Sequence, residues 1–258
     1  MKKLWMTSLA PSEEAVKKVM KQLKTYGLEV NGHFWEDDLQ KMAWIKARDA
    51  LIDTNVALWL ILAANEDLLS ASIRGGLSLL AITVQAQRGL GFPIALLLTG
   101  GELPQVETLP TPLKAAIVLS ASDATYGARV VAGVHAPMKH PLPEYRLDVY
   151  GNSQIGQWFE VGPREGPWRG AMLGVSGADI SFHGVGPKGS LPSRSVLNYP
   201  MKGLKVTLGD NEYVAWAVQN DLDARNSYFV KVEGCPGSIL FGPYSSDQEA
   251  EVHIVTLK

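Results

Sequence analysis

Three acidic residues that follow apolar segments are the strongest candidates for chemistry in this chain. Glu66 comes directly after the apolar run 56–64, and Asp37 and Asp38 follow the segment 28–35. A positioned carboxylate can stabilise or attack positive charge that develops in a reacting substrate. Acidic side chains also cap helices and complement their positive amino termini. We favour this structural interpretation for all three acids and keep the catalytic one open.

Polar residues and glycines that follow other apolar segments predict where a ligand would bind. In an open α/β sheet, ligands bind beyond the carboxyl ends of the strands. The residues expected at those ends, besides the three acids, are Ser8, Asn65, Thr99, Gly100, Gly101 and Asp123. Thr99-Gly100-Gly101 follows a predicted strand and has the position, without the full motif, of a phosphate-binding loop. The ligand is unidentified, and a nucleotide is the candidate.

Gly75 and Gly76 lie inside a predicted helix, where each is less favourable than alanine by about 1 kcal/mol. Either the helix breaks at this pair or something packs closely against it. A nucleotide that approaches the backbone at Gly76 is the functional interpretation, and tight packing against the sheet or another subunit is the structural one. We favour packing.

The first half of the chain alternates between predicted strands and helices. Predicted strands cover 4–9, 28–35, 56–64, 93–98 and 115–119. The first helix begins after the capping residue Ser12 and ends at Gly27. A second apolar stripe comprises Leu39, Met42, Ala43, Ala47 and Ala50, and a third helix runs from about Asp67 to Arg88 with Leu69, Ile73, Leu77, Leu80 and Val84 on its inner side. Residues 122–134 form a last helix, with a strand over 129–135 as the alternative.

This alternation predicts an α/β domain with an open parallel five-stranded sheet and flanking helices. The strand order that we expect is 2-1-3-4-5. The continuously apolar segment 56–64 is typical of a strand covered on both faces and should be the centre of the sheet.

A second, β-rich domain is predicted after a proline cluster. Pro137, Pro141 and Pro143 mark the change, and 15 of the 25 glycines follow them. The short alternating segments there are 145–150, 157–161, 180–185, 204–208, 213–218, 228–232, 239–244 and 252–257. They predict a mostly antiparallel sandwich or barrel. We place the boundary at 138–144, between a domain of residues 1–137 and one of residues 144–258.

The composition argues against several classes of partner and cofactor. A net charge of -2 gives no general attraction for nucleic acid or anionic membranes. Cys235 is the one cysteine, and the five histidines show no metal-ligand spacing, so no metal is expected. The longest apolar run, 56–64, is about half of the roughly 20 residues that a membrane helix needs. We expect a soluble, cytoplasmic protein.

Residues 1–101 resemble a TIR domain. The family's second strand has the pattern GLxVWxDxxDL, and the matching residues here are Gly27-Leu28-Glu29-Val30 and Phe34-Trp35-Glu36-Asp37-Asp38-Leu39. The family motif S-x-W-C-x-x-E-L aligns with Ser70 through Leu77, which places Gly76 where NAD-cleaving members have the catalytic glutamate. The resemblance implies a flavodoxin-like sheet without the family's acid.

The functional hypothesis is a non-catalytic, TIR-like binding or signalling protein. It acts through assembly with a protein partner or with itself, or by sensing a nucleotide. The alternative is an enzyme that cleaves or exchanges an N-glycosidic bond of NAD or a nucleoside, with Glu66, Asp37 or Asp38 in place of the missing glutamate.

Overall fold

The computed structural model describes residues 1–136, 141–244 and 251–258. The chain forms two compact units. The first comprises Met1–Asp38 and Ala43–Pro141, and the second comprises Leu142–Lys258 together with the short segment Leu39–Met42. The predicted end of the first domain at residue 137 lies outside the described residues. The grouping of Leu39–Met42 with the second unit has no counterpart in the sequence analysis.

The first unit contains a five-stranded sheet with helices beside it. Its strands are β1 (Lys2–Ser8), β2 (Leu28–Phe34), β3 (Val56–Ala63), β4 (Ile94–Leu98) and β5 (Ile117–Ser120). Its α-helices are α1 (Glu13–Thr25), α2 (Arg48–Ile52), α3 (Ala71–Arg88) and α4 (Tyr126–His135), and short 3₁₀ turns occupy Ala43–Ala47, Glu66–Leu69, Val106–Thr108 and Thr111–Leu113. The strand order is β2-β1-β3-β4-β5, and every pairing is parallel. The predicted sheet and strand order are confirmed.

Strand β3 is the buried centre of this sheet. Every residue of Val56–Ala63 except Ala57 is buried, as expected for a parallel strand with elements packed on both faces. The Trp59 indole donates a hydrogen bond to Oγ1 of buried Thr7 at 2.9 Å. A buried indole N–H needs such a partner, and the bond fixes β3 against β1.

Helix α1 begins and ends where the sequence predicts. The Ser12 side chain accepts a hydrogen bond from the Ala15 backbone N–H at 3.2 Å, and Glu13 and Glu14 occupy the first turn. Beyond the end of the helix, Gly27 has a φ of +75°, a conformation that glycine adopts without strain.

The predicted second helix is wrong over its first half. The apolar stripe that starts at Leu39 indicates one helix, but the chain turns over residues 39–42 and is 3₁₀ over Ala43–Ala47. Only then does α2 begin, at Arg48. Met42 has a φ of +54°, which an α-helix excludes.

The third helix also starts later than predicted. Instead of Asp67, its first residue is Ala71, because a separate 3₁₀ turn occupies Glu66–Leu69. Leu69, expected on the inner side of the helix, is 75% exposed in that turn. For α4 the helical interpretation is confirmed, and the alternative strand over 129–135 is wrong.

The middle of α3 is buried on all sides. Ten consecutive residues from Gly75 to Val84 are buried, whereas a helix at the protein surface buries only one stripe. The helix continues through Gly75 and Gly76, so the interpretation in which it breaks there is wrong.

Arg88 attaches the carboxyl end of α3 to the segment that leads into β3. Its guanidinium donates to the carbonyl oxygens of Leu51 at 3.1 Å, Asp53 at 2.5 Å and Val56 at 2.8 Å. It also lies 4.5 Å from the ring centroid of Phe92. Burial lowers the pKa of Arg88, and the neighbouring charge of Asp53 acts in the opposite direction.

We expect Arg88→Ala to lower the free energy of unfolding by about 2–3 kcal/mol, because the change removes a charged donor from three carbonyl oxygens. Urea denaturation followed by tryptophan fluorescence measures the effect. The control is Lys17→Ala, which removes an exposed ion pair with Glu13 on α1 and should cost about 0.5 kcal/mol or less. Equal losses in the two variants would contradict the role of Arg88.

The second unit consists of two antiparallel sheets. Its strands are β6 (Tyr145–Asn152), β7 (Gly156–Pro163), β8 (Trp168–Ser176), β9 (Asp179–Pro187), β10 (Met201–Leu208), β11 (Asn211–Leu222), β12 (Asn226–Glu233), β13 (Ser238–Pro243) and β14 (His253–Thr256). One sheet has the order β10-β11-β8-β13-β14, and the other has the order β6-β7-β12-β9. The predicted antiparallel β domain is confirmed.

Strand β8, in the middle of the five-stranded sheet, is absent from the strands that the sequence predicts. Gly170 and Gly174 weaken its pattern, since glycine is rare in strands. A Cβ atom at Gly174 would lie 3.0 Å from Cβ of Ala215 and 3.3 Å from that of Tyr213. Side chains of β11 therefore cover the space that glycine leaves. The sequence of β8 alone does not indicate this packing.

His183 is a buried histidine of β9, with 3% of its surface exposed. Its Nδ1 lies 2.7 Å from the Tyr228 hydroxyl, and its ring packs edge-on against Trp216 with centroids 4.8 Å apart. Among the described residues, its Nε2 has no hydrogen-bond partner. Burial lowers the pKa of His183 to about 4, and the positive charge of Lys202 acts in the same direction.

We expect His183 to make the protein less stable in acid. Between its ordinary pKa of 6.5 and the folded pKa of about 4, the unfolded chain binds a proton that the folded chain does not. Stability should therefore fall by about 1–2 kcal/mol from pH 7 to pH 5, and His183→Gln should remove most of this loss in urea titrations. His135→Gln, at an exposed histidine of α4, should keep the wild-type dependence.

Candidate functional site

The carboxyl ends of the five parallel strands lie at one edge of the sheet, which we call the carboxyl edge. Ser8 ends β1, and Asp37 and Asp38 follow β2. Asn65 and Glu66 follow β3, Thr99, Gly100 and Gly101 follow β4, and Asp123 follows β5. The side chains differ in whether they contact another loop or only their own.

Asp37 contacts the beginning of α3. Its Oδ2 accepts a hydrogen bond from the Ser72 hydroxyl at 2.5 Å, and Oγ of Ser72 lies 2.9 Å from Oγ of Ser70. This chain of contacts joins the loop after β2 to the helix after β3, the strands on either side of β1. The carboxylate lies beside the first turn of α3, where a helix favours negative charge.

The proposed capping of the second helix by Asp37 and Asp38 is wrong. That segment is a turn and a 3₁₀ stretch, so no α-helix begins near these acids. Asp38 instead uses its backbone carbonyl to accept the Ala43 N–H at 3.0 Å, and its side chain is half-buried.

The loops after β3 and β4 lie against each other at Asn65 and Gly101. Gly101 has a φ of +79°, and a Cβ atom there would lie 2.9 Å from Cβ of Asn65. Both its conformation and its contact therefore require glycine. For Gly100, a Cβ atom would meet nothing within 4 Å.

Arg74, in the first turns of α3, bridges the same two loops. Its guanidinium donates to the Thr108 carbonyl at 2.6 Å and to the Leu68 carbonyl at 3.5 Å. Burial lowers the pKa of Arg74, and its buried Nε has no hydrogen-bond partner in the part of the chain that the structure describes. The guanidinium of Arg74 therefore bonds to both loops and connects them.

Several predicted binding residues bond within their own loop or to the adjacent strand. The Ser8 hydroxyl donates to the Ala10 carbonyl at 2.8 Å, and the Thr99 hydroxyl donates to the Ala63 carbonyl at 3.3 Å. Asp123 accepts from the Thr125 backbone N–H at 2.8 Å and from its hydroxyl at 2.7 Å. These bonds from Thr125 hold the pKa of Asp123 below its ordinary value.

Glu66 projects into solvent at the start of the 3₁₀ turn, while its neighbour Asp67 has the structural role. Oδ2 of Asp67 accepts the Ala64 backbone N–H at 2.8 Å and so closes the turn after β3. Gly76 lies apart from this group. It is buried within α3, about 7.5 Å along the helix axis from Ala71 at 1.5 Å per residue.

The loops after β3 and β4 also expose apolar side chains that the sequence analysis missed. Leu69, Leu103 and Val106 are 75%, 45% and 38% exposed. Residues 64–70 and 99–109 contain four acidic residues and no lysine, arginine or histidine. This charge pattern is visible in the sequence and could have indicated an acidic surface. We call the exposed residues Glu66, Leu69, Glu102, Leu103, Val106 and Glu107 the acidic edge.

Two clefts of the α/β unit lie at the opposite edge, where the strands begin. One, between the starts of β4 and β5, has a volume of about 40 Å³, which admits a few waters and no nucleotide. The other, of about 590 Å³, is an open basin lined by Lys2, Leu28, Asn55 and His135. No sequence pattern indicates either cleft.

Across residues 1–136, 141–244 and 251–258, no group of three or more histidine, cysteine and acidic residues is placed to hold a metal ion. Within the same residues, no helix combines the length and the apolar character that crossing a membrane requires.

Comparisons with known proteins do not identify a family. No family model matches the chain, and no curated protein matches it. Among solved structures, a two-domain esterase active on acetylated mannans is similar at 7% identity, over 98% of this chain and 90% of that chain, with a TM-score of 0.31. A likeness of this size carries no argument about function, and the TIR-like resemblance stays a prediction.

We expect Gly101→Ala to lower the free energy of unfolding by about 1–2 kcal/mol, because alanine is strained at a positive φ. The contact with Asn65 should add to the loss. Gly100→Ala, the adjacent control, should change stability by about 0.5 kcal/mol or less, since its Cβ atom enters open space. Urea denaturation measures both, and indistinguishable variants would contradict a required glycine at 101.

Proposed function

We propose that this chain is a non-catalytic binding protein of TIR-like type, and that the acidic edge of its α/β unit contacts a protein partner. The observation that carries the proposal is the mixture of exposed leucine and valine side chains with glutamates on two adjacent loops. A cytoplasmic location, predicted from the single cysteine, is part of the same proposal.

The two loops form one surface because Arg74 and the Asn65–Gly101 contact hold them side by side. Exposed apolar side chains that cluster among charged ones are typical of interaction sites. A surface of this kind fits a partner with apolar side chains and lysines or arginines, since apolar burial supplies affinity and opposite charge supplies orientation.

The charges at the carboxyl edge favour a protein ligand over a nucleotide. Residues 64–70 and 99–109 contain no lysine, arginine or histidine, and the carboxylate of Asp37 already lies beside the first turn of α3. A phosphate placed there would meet negative charge instead of free backbone N–H groups.

The absence of an acid at Gly76 supports a non-catalytic role. In the family that this chain resembles, the glutamate at that position acts on the bond to nicotinamide. Gly76 has no side chain and is buried in an unbroken helix, so the position offers no carboxylate to a substrate.

The enzyme alternative has one observation in its favour. Asp37 is held by the Ser72 hydroxyl at 2.5 Å, and a positioned carboxylate is what cleavage of an N-glycosidic bond needs. The predicted stand-in Glu66 is exposed in a surface turn.

We expect the acidic edge to bind a synthetic amphipathic helix of lysine and leucine, because that peptide presents the complementary groups. Isothermal titration of the full chain should show binding that weakens as salt is raised. The variant Glu66→Lys with Glu102→Lys should bind about tenfold more weakly or worse. The control Glu165→Lys with Glu212→Lys changes net charge equally at exposed acids outside these loops and should bind like the wild type.

Equal binding by both charge variants would contradict the proposal. A second assay incubates the protein with NAD, nucleosides and cyclic nucleotides and measures released base. Release by the wild type that is lost in Asp37→Asn would establish the enzyme alternative instead. Stabilisation by a nucleotide in thermal denaturation, without release, would favour nucleotide sensing.

A further inference from the structure

The loop between β9 and β10 is basic and contains no acid. We define the basic loop as residues 188–200, which include Lys188 and Arg194, both exposed. Lys202 and Lys205 follow on β10 and are also exposed. The whole segment 180–209 lacks aspartate and glutamate. In a chain with a net charge of -2, this is a local concentration of positive charge.

The basic loop is held to the strands beside it. The Ser195 hydroxyl donates to the Val185 carbonyl at 3.0 Å and accepts the Val185 N–H at 2.7 Å. The Asn220 side chain accepts the Asn198 N–H at 2.8 Å and donates to the Val196 carbonyl at 2.9 Å. Two side chains therefore fix the middle of the loop through its backbone.

Further contacts fix the first part of the loop. The Gly189 N–H donates to Oε1 of buried Glu160 at 3.0 Å. Pro192 lies over Gly184 and Gly186, where a Cβ atom would come within 3.1 and 2.7 Å of its ring. Glycines on β9 thus allow the loop to pack directly on the strand. A loop ordered in advance loses little entropy when it binds.

This fixed loop presents two of its apolar side chains to solvent. Val196 is 81% exposed and Tyr199 is 77% exposed. Tyr199 also has a φ of +45°, a conformation that a bulky residue rarely adopts. Strained residues held by their surroundings are concentrated at functional sites. An exposed valine and tyrosine on an ordered, basic loop are suited to insertion into an acidic, apolar surface.

We infer that the basic loop of one copy of this chain docks on the acidic edge of a second copy. The inference rests on the proposed function and names its partner. Charge complementarity carries it, because the acidic edge has glutamates without any cation and the basic loop has cations without any acid. Both surfaces expose apolar side chains in the single chain, so both are free to contact another molecule.

The contact is head-to-tail, since two different surfaces meet. Each docked pair leaves one acidic edge and one basic loop unused, and assembly continues unless the rotation closes a ring. The expected assembly is therefore open-ended or cyclic and is not a symmetric dimer.

Light scattering on the full chain tests the inference. The mean mass should rise above that of one chain as concentration increases towards about 1 mM, and added salt should reverse the rise. A wild-type protein that stays monomeric throughout overturns the inference.

Charge reversal locates the two surfaces. The loop variant Lys188→Glu with Arg194→Glu and the edge variant Glu102→Lys with Glu107→Lys should each associate about tenfold more weakly than the wild type. Mixing the two should restore association, because each reversed surface again meets its complement. Lys18→Glu with Lys21→Glu, on the exposed side of α1, should associate like the wild type. Failure of the mixture to recover overturns the inference.

The variant Tyr199→Asn tests the contribution of the apolar side chain to association, because it changes no charge. Asparagine tolerates a positive φ, so the variant should unfold at the same or a higher temperature than the wild type. It should nevertheless associate several-fold more weakly, and unchanged association overturns the role of the loop tip.

The two proposals fail separately. A protein that binds the lysine and leucine peptide at the acidic edge but never self-associates overturns the second-copy partner and leaves the binding function intact. A protein that does neither loses both.

Discussion

The close packing of α3 is the constraint on which the α/β unit depends. Helix α3 is buried on every side from Gly75 to Val84. Other elements of the unit must therefore pack closely around it. The two glycines add no side chain to this buried segment, and the loss of helix propensity at each is offset by the contacts of the segment. Polar interactions then hold both ends, through Arg88 at the last turn and through Arg74 and Ser72 at the first.

This anchoring decides what the carboxyl edge offers to a ligand. Because Asp37 lies beside the start of α3 and Arg74 is used between two loops, neither the helix terminus nor the cation is free for a phosphate. The exposed residues there include glutamates, leucines and a valine. A scaffold that hosts many unrelated functions in other proteins therefore has here an edge that combines acidic and apolar side chains.

The β unit shows how glycine leaves space for an ordered loop. Gly184 and Gly186 leave space on β9 for Pro192, and the basic loop can then be ordered without a core of its own. The net charge of the chain does not show how its charges are distributed. A total of -2 combines acidic segments in one unit with a basic loop in the other.

The sequence by itself determined the strands of the parallel sheet, their order, the cap of α1 and most of the antiparallel strands. These features follow from local periodicity, from capping residues and from the continuous apolar character of the segment 56–64. All three can be read from a single sequence. It also pointed to the edge where Asp37, Asn65 and Gly101 lie, since the carboxyl ends of parallel strands must meet.

Only the tertiary structure decided which of those residues touch. Asp37 and Ser72 are 35 positions apart, and Asn65 and Gly101 are 36 apart, so no local pattern joins them. The start of α3 and the exposure of Leu69 depended on the turn after β3, and strand β8 depended on side chains that β11 supplies to its glycines. Local patterns record what a segment prefers, whereas contacts between distant segments decide which preference is realised.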